Sequence, residues 1–185
     1  FRRVLFRSNL DLKAFTEDFY KRVCAGQLDA VLDTLKYIHH ETKTWLEVTT
    51  LLIPGYNDSE AEITRLSEWF ADNLGLKVPL HFTAFHPDYR LTDVERTPHT
   101  TLLAARAIAQ KAGLKHVYVG NVHDEAAGST YCTGCGIKLI GRGCYQLGTW
   151  NLTADGHCAA CGTQCAGIFD GPAGTWGAKI GRAHV

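Results

Sequence analysis

Cys132, Cys135, Cys158 and Cys161 form two Cys-x2-Cys pairs, each followed by a glycine, with 22 residues between the pairs. Four thiolates at this spacing can surround one tetrahedral ion, and zinc is the usual occupant. A Cys-x2-Cys-Gly turn aims two sulfurs and nearby backbone N–H groups at one point, and the glycine permits the backbone twist behind the second ligand. Such a set explains how the last third of the chain is held together without naming a reaction. Cys165 follows Cys161 with three residues between. Cys158-x2-Cys161-x3-Cys165 could therefore seat three irons of an iron–sulfur cluster. Four ligands already close a zinc site, which leaves Cys165 a spectator. Cys144 stands alone between the pairs, and Cys24, at a helix end, reads as a small apolar packing residue. Seven cysteines, four of them at metal spacing, favour a reducing cytoplasm; disulfides across the two pairs are the other reading.

A second set of candidates is charged. Asp11 and Lys13 are two apart on a predicted strand and so share a face. An opposite-charge pair there suits a zwitterionic ligand carrying an amine and a carboxylate; the other reading is an ion pair that satisfies itself at a strand end. His86 sits at the end of a later strand, before Pro87, as a ligand-binding or simply hydrogen-bonded imidazole. His81 and His86 are five apart, which places them on opposite faces of a strand. That argues against a third function class, a histidine-metal hydrolase.

The elements that must position these residues alternate strand and helix. Asn9 to Lys13 reads as the tail of a strand. Thr16 caps a helix running to about Cys24, and Leu28 to His39 has helical spacing. Trp45 to Ile53 is a β-rich run stopped by Pro54-Gly55. Ser59-x-x-Glu62 is a capping box opening a helix to about Leu74, ended by Gly75. Leu80 to Phe85 is a strand, Thr100 to Ala112 a helix ending at Gly113, and His116 to Val119 a short strand. This alternation predicts a parallel α/β sheet. Active sites of such sheets lie at the C-terminal ends of the strands. Asp11 with Lys13, the loop Pro54-Gly55-Tyr56-Asn57-Asp58 and His86 all fall there. The Pro54–Asp58 loop is also readable as a plain strand-to-helix connection. After Val122 glycines and cysteines crowd the chain, giving a small metal-braced module with a boundary near His123.

Both ends look foreign. Phe1 to Ser8 and Ile180 to Val185 read as translations of the two strands of one oligonucleotide, a common sequencing-library adaptor, and the chain has no Met; the other reading is a real basic arm at the N-terminus. The expected organisation is therefore an adaptor tail at 1–8, an α/β part at 9–122, a Cys-rich module at 123–179 and a second adaptor tail at 180–185. Without the tails, 15 basic residues face 19 acidic ones, and the net charge falls from 0 to −4. No basic surface remains to argue for nucleic acid or an anionic membrane. No apolar run is long enough to span a bilayer.

Taken together, these segments resemble a known family. Asp11-Leu12-Lys13, Thr50 to Asp58 and His81-Phe82-Thr83-Ala84-Phe85-His86-Pro87 resemble radical S-adenosylmethionine (SAM) enzymes of the pyruvate formate-lyase-activating type. Tyr118 to Asp124, Ser129-Thr130-Tyr131-Cys132-x2-Cys135-Gly136, Cys158-x2-Cys161-Gly162 and Phe169-Asp170-Gly171-Pro172 resemble the radical SAM enzyme of the AmmeMemoRadiSam system. The resemblance implies the second half of a partial (β/α)6 TIM-type barrel followed by a zinc-ribbon-like module. It implies a 4Fe–4S cluster that reduces SAM to give a 5′-deoxyadenosyl radical, and partners of the AMMECR and Memo types. It places Asp11, Lys13 and His86 at the methionyl end of SAM. The family's Cys-x3-Cys-x2-Cys cluster loop does not occur in this sequence. The chain by itself is therefore expected to be inactive. The rival from another function class is a non-enzymatic module in which the cysteine tail docks a partner and the α/β part is scaffold.

Overall fold

The computed structural model describes residues 7–89, 91–143 and 146–169. Most of the first tail, all of the second, Cys144 and the Asp170-Gly171-Pro172 segment lie outside the described residues. The chain divides into two compact units, one ending at Val122 and the other beginning at His123.

The first unit runs β1 (Arg7–Asp11), α1 (Glu17–Phe19), a π turn (Tyr20–Cys24), α2 (Leu28–Glu41), β2 (Trp45–Leu52), α3 (Glu60–Leu74), β3 (Leu80–Ala84), α4 (His99–Lys111) and β4 (Val117–Gly120). The strands are parallel, and their order in the sheet is their order in the chain, β1-β2-β3-β4. Every crossover thus advances in the same direction. Crossovers of this kind are almost always right-handed, which puts all the helices on one face of the sheet. Burial agrees. Leu46, Val48, Leu52, Leu80, Phe82 and Ala84 alternate with half-exposed neighbours and are buried, as are Leu35 of α2, Phe70 of α3 and Leu102 of α4.

The opposite face carries Asn9, Asp11, Trp45, Glu47, Thr49, Leu51, His81, Thr83 and Tyr118. Pairing lines up Asp11, Thr49, His81 and Tyr118 as one row across all four strands. Parallel strands buried on both faces read as continuous apolar runs; the alternation in β2 and β3 marks a sheet with one partly exposed, mostly polar face, while Val117, Tyr118 and Val119 of β4 are all buried. Arg7 and Ser8, assigned by sequence to the foreign tail, pair with Trp45 and Leu46. Backbone N–H and C=O groups join a ladder whatever their side chains.

Local signals set the helix ends. The Thr16 hydroxyl accepts from Phe19 N–H, and Ser59 Oγ accepts from Glu62 N–H. The helix expected from Thr16 to Cys24 is a short α turn that widens into the π turn and stops at Ala25 in the left-handed region (φ 50°). The capping box at Ser59 is one-sided. Glu62, buried, turns away from Ser59 and accepts the Phe15 N–H at 2.7 Å, tying α3 to the loop after β1. Cys24 is exposed rather than packed, because the π turn ends at the surface.

The second unit holds α5 (Glu125–Gly128) and a three-stranded antiparallel sheet of β5 (Thr130–Tyr131), β6 (Lys138–Gly143) and β7 (Gln146–Trp150), in the order β5-β6-β7. Its core is small: Leu139, Ile140, Leu152, Cys132, Cys158 and Cys165, flanked by half-buried Ile137, Leu147, Trp150 and Phe169. Among the described residues of the chain no helix is long and apolar enough to cross a membrane.

Candidate functional site

The four cysteines of the two pairs converge. Their Sγ atoms all lie within 4.8 Å of one another. Cys132 Sγ is 3.5 Å from Cys161 Sγ, and Cys135 Sγ is 3.7 Å from Cys158 Sγ. A zinc ion with Zn–S bonds of about 2.3 Å in a tetrahedron requires S···S edges of roughly 3.8 Å. A disulfide would bring two sulfurs to about 2.05 Å, and none of the described cysteines is so paired. The donor set therefore fits a tetrahedral thiolate-bound metal such as zinc.

Two matching backbone turns build it. In the first, Cys132 N–H donates to Ile137 O and Gly136 N–H to Cys132 O. In the second, Cys158 N–H donates to Thr163 O and Gly162 N–H to Cys158 O. Gly136 and Gly162 take φ of 77° and 74°, a region costly for any residue with a Cβ. Each turn buries its first cysteine and exposes its second. The turns meet closely: a Cβ at Gly134 would overlap Thr163 Oγ1 and stand 3.5 Å from Cys161 Sγ.

Hydrogen bonds spread the thiol acidities. Cys161 falls to about 6, chiefly through the Thr163 hydroxyl 3.2 Å from its sulfur and then the Thr163 N–H. Cys132 is also lowered, first by the Cys135 N–H. The Ile137 N–H pulls Cys135 down, but the neighbouring sulfurs, Cys161 foremost, outweigh it and push this thiol up to about 12. A cation among four sulfurs removes that mutual repulsion, because it binds them as thiolates. Cys165 lies outside the set. Its sulfur faces the Ala166 carbonyl, and burial raises its pKa.

The strand tips of the first unit form the other candidate site. Lys13 Nζ and Asp11 Oδ2 are 2.8 Å apart with about half of each side chain exposed, so here the two charges satisfy each other. The Lys13 backbone is held on both sides. Its N–H donates to the hydroxyl of buried Tyr20 at 3.0 Å, and its carbonyl accepts from Asn57 Nδ2 at 2.6 Å. His86 is exposed, with Nδ1 3.0 Å from the carbonyl of Pro87. The structure thus brings Asp11 and Lys13 into contact and leaves His86 on a separate strand tip.

Sequence reasoning missed the side chains that stitch these tips together. Asn57, 2 % exposed, also donates to Leu51 O and accepts from Ile53 N–H, joining the ends of β1 and β2. Thr97 Oγ1 donates to Leu52 O and accepts from Phe85 N–H, joining β2 and β3. Asn121, at φ 58°, donates to Ala84 O, joining β3 and β4. One polar loop residue serves each neighbouring pair of strands. The Pro54–Asp58 turn signal pointed at Asn57, but its function is visible only once the register is known.

No family model matches the chain. It is 43 % identical over 157 residues to an uncharacterised protein of Methanocaldococcus jannaschii, covering 84 % of this chain and 46 % of that protein. The chain thus spans about half the length of the curated relative it matches. Among solved structures, a domain of pyruvate-formate lyase-activating enzyme from Bacteroides vulgatus matches with a TM-score of 0.54 and 16 % identity. That match covers 62 % of this chain and 67 % of the domain. Likeness at that identity is likeness of fold: the chain shares the mixed α/β, parallel-sheet architecture of that activating-enzyme domain.

Proposed function

We propose that the chain is the C-terminal part of a radical SAM enzyme similar to pyruvate formate-lyase-activating enzymes, belonging to the AmmeMemoRadiSam system. In this reading the parent protein reductively cleaves SAM to a 5′-deoxyadenosyl radical that acts on a substrate, and AMMECR- and Memo-type proteins are its partners. The first unit supplies the second half of a partial barrel, and the second unit is its zinc-ribbon-like tail.

One observation carries the reading. A parallel sheet with a polar open face ends in an exposed Asp11–Lys13 pair at the tip of β1, on a fold shared with an activating-enzyme domain. An ammonium and a carboxylate from one ligand can replace the two partners of that pair, with the ammonium on Asp11 and the carboxylate on Lys13. His86 would approach the same carboxylate. Tyr20 and Asn57 hold the Lys13 backbone in place while the side-chain partners exchange. The 4Fe–4S cluster is another matter. The four converging sulfurs suit a single closed tetrahedral ion, and no Cys-x3-Cys-x2-Cys run occurs in the sequence. In this reading the cluster is held by the parent protein outside this chain, which alone should be inactive.

The test is to join the chain to the upstream coding sequence, reconstitute the longer protein anaerobically and measure 5′-deoxyadenosine formed from SAM. We expect formation that depends on Asp11. SAM affinity should fall about 10- to 100-fold in Asp11→Asn, matching the 1.5–3 kcal/mol of a hydrogen bond to a charged group. A longer protein without a cluster-bearing cysteine trio, or with SAM affinity indifferent to Asp11, would refute the assignment and leave the partner-docking module.

A further inference from the structure

The open face of the sheet carries a second constellation that the SAM-binding reading leaves unused. His81 Nε2 lies 2.9 Å from Glu47 Oε2 across β2 and β3. The other Glu47 oxygen accepts the Trp45 indole N–H at 3.0 Å, so the carboxylate is fixed from two sides. The His81 ring is stacked on Tyr118, with centroids 5.1 Å apart and planes 28° from parallel. One nitrogen of an imidazole is thus engaged by an immobilised carboxylate, and the ring is clamped by an aromatic wall. Nδ1 makes no hydrogen bond among the described residues. The pair remains reachable, with 28 % of the His81 side chain and 37 % of the Glu47 side chain exposed.

We propose that His81 is an acid–base residue for the substrate on this face, with Glu47 and Trp45 as its positioning residues. A carboxylate behind one imidazole nitrogen selects the tautomer that leaves the other nitrogen's lone pair outward, and stabilises the imidazolium once that lone pair takes a proton. The step is a simple proton transfer. Nδ1 accepts the proton of a substrate O–H or N–H, the electron pair of that bond stays on the substrate, and the positive charge on the ring is balanced by Glu47. Reversal returns the proton to product or solvent. The substrate class is therefore one with an ionisable hydroxyl or amine at its reacting end. His81 stands in the same row as Asp11 with Thr49 between them, two strand spacings or about 10 Å away. A substrate over His81 would border a ligand held at the β1 tip. The purely structural alternative is an ion pair that fills the sheet face.

The proposal rests on the reading above for its substrate, but its first test does not. Imidazole nitrogen NMR on the ¹⁵N-labelled chain, with His81 assigned by the signals lost in His81→Gln, should show the neutral ring protonated at Nε2. In Glu47→Gln, whose amide can donate, the population should move toward the Nδ1–H form. Diethyl pyrocarbonate, mapped by mass spectrometry, should acylate His81 in the folded chain. A wild-type ring protonated at Nδ1, or a His81 inert to the reagent, would overturn the proposal whatever SAM does. In the longer protein, calorimetry should find SAM affinity unchanged in His81→Gln and weakened in Asp11→Asn. Equal loss in both would make His81 part of the SAM clamp and refute a separate substrate role. If no form binds SAM, the radical SAM reading falls, and the tautomer and acylation results still decide whether His81 is a poised base.

Discussion

The two units of this chain reach a stable fold by different means. The first buries Leu12, Leu35, Phe70, Phe82 and Leu102 completely and then ties the strand ends with Asn57, Thr97 and Asn121. The second has a handful of apolar residues, and two of its core members, Cys132 and Cys158, are also metal-ligand candidates. Apolar burial scales with size, so a small module lacks the area to offset its chain entropy and needs a covalent or metal staple. In one unit the core exists before any ligand arrives. In the other, Cys132 and Cys158 belong to core and ligand site at once.

The sharpest way to break this contrast is to take the metal away. Chelation, or Cys132→Ser, should unfold the second unit while the first keeps its melting transition. Structural zinc is worth about 10–16 kcal/mol in peptide-sized sites. Zinc stoichiometry and residue-resolved NMR would check this, and a second unit that keeps its dispersed spectrum without metal would erase the distinction. The converse substitution lies in the first unit. Phe82→Ala on β3, fully buried, should cost about 3–5 kcal/mol in denaturant melts and leave zinc content unchanged. Next in size is Asn57→Ala, which strips partners from Lys13 O, Leu51 O and Ile53 N–H. Buried polar groups left unpaired cost about 1–3 kcal/mol, and amide exchange should quicken first at Ile53. Smallest is Asp11→Asn, which breaks a half-exposed ion pair and should change stability by less than about 1 kcal/mol. A residue that matters little to folding yet strongly to SAM affinity is what a ligand-binding role requires.

Legibility in the sequence follows the same division. In the first unit, period-2 and period-3.6 patterns placed β2, α3, β3 and α4 within a residue or two, because burial on one face imposes those periods. Gly75 and Gly113 marked helix ends correctly, at φ of 78° and 102°. What stayed hidden depended on register. Asn57, Thr97 and Asn121 act between strands far apart in sequence, and the His81–Glu47 contact joins residues 34 apart. The reach of Glu62 toward Phe15 likewise could not be told from an ordinary capping box. In the second unit the spacing of the four cysteines announced their convergence, yet β5, β6 and β7 carried no readable alternation. A glycine-rich sheet around a metal-ligand set has little apolar face to betray its strands.

The narrow gap between the two cysteine turns has an evolutionary consequence. Gly134 and Thr163 compete for one volume, so bulk can be accommodated at either position but not at both. Homologues that gain a side chain at the first position should surrender the hydroxyl at the second. Redesign of the turns must then treat the pair as a single two-letter word, with Gly134→Ala expected to need a residue without that hydroxyl, such as Ala or Gly, at position 163.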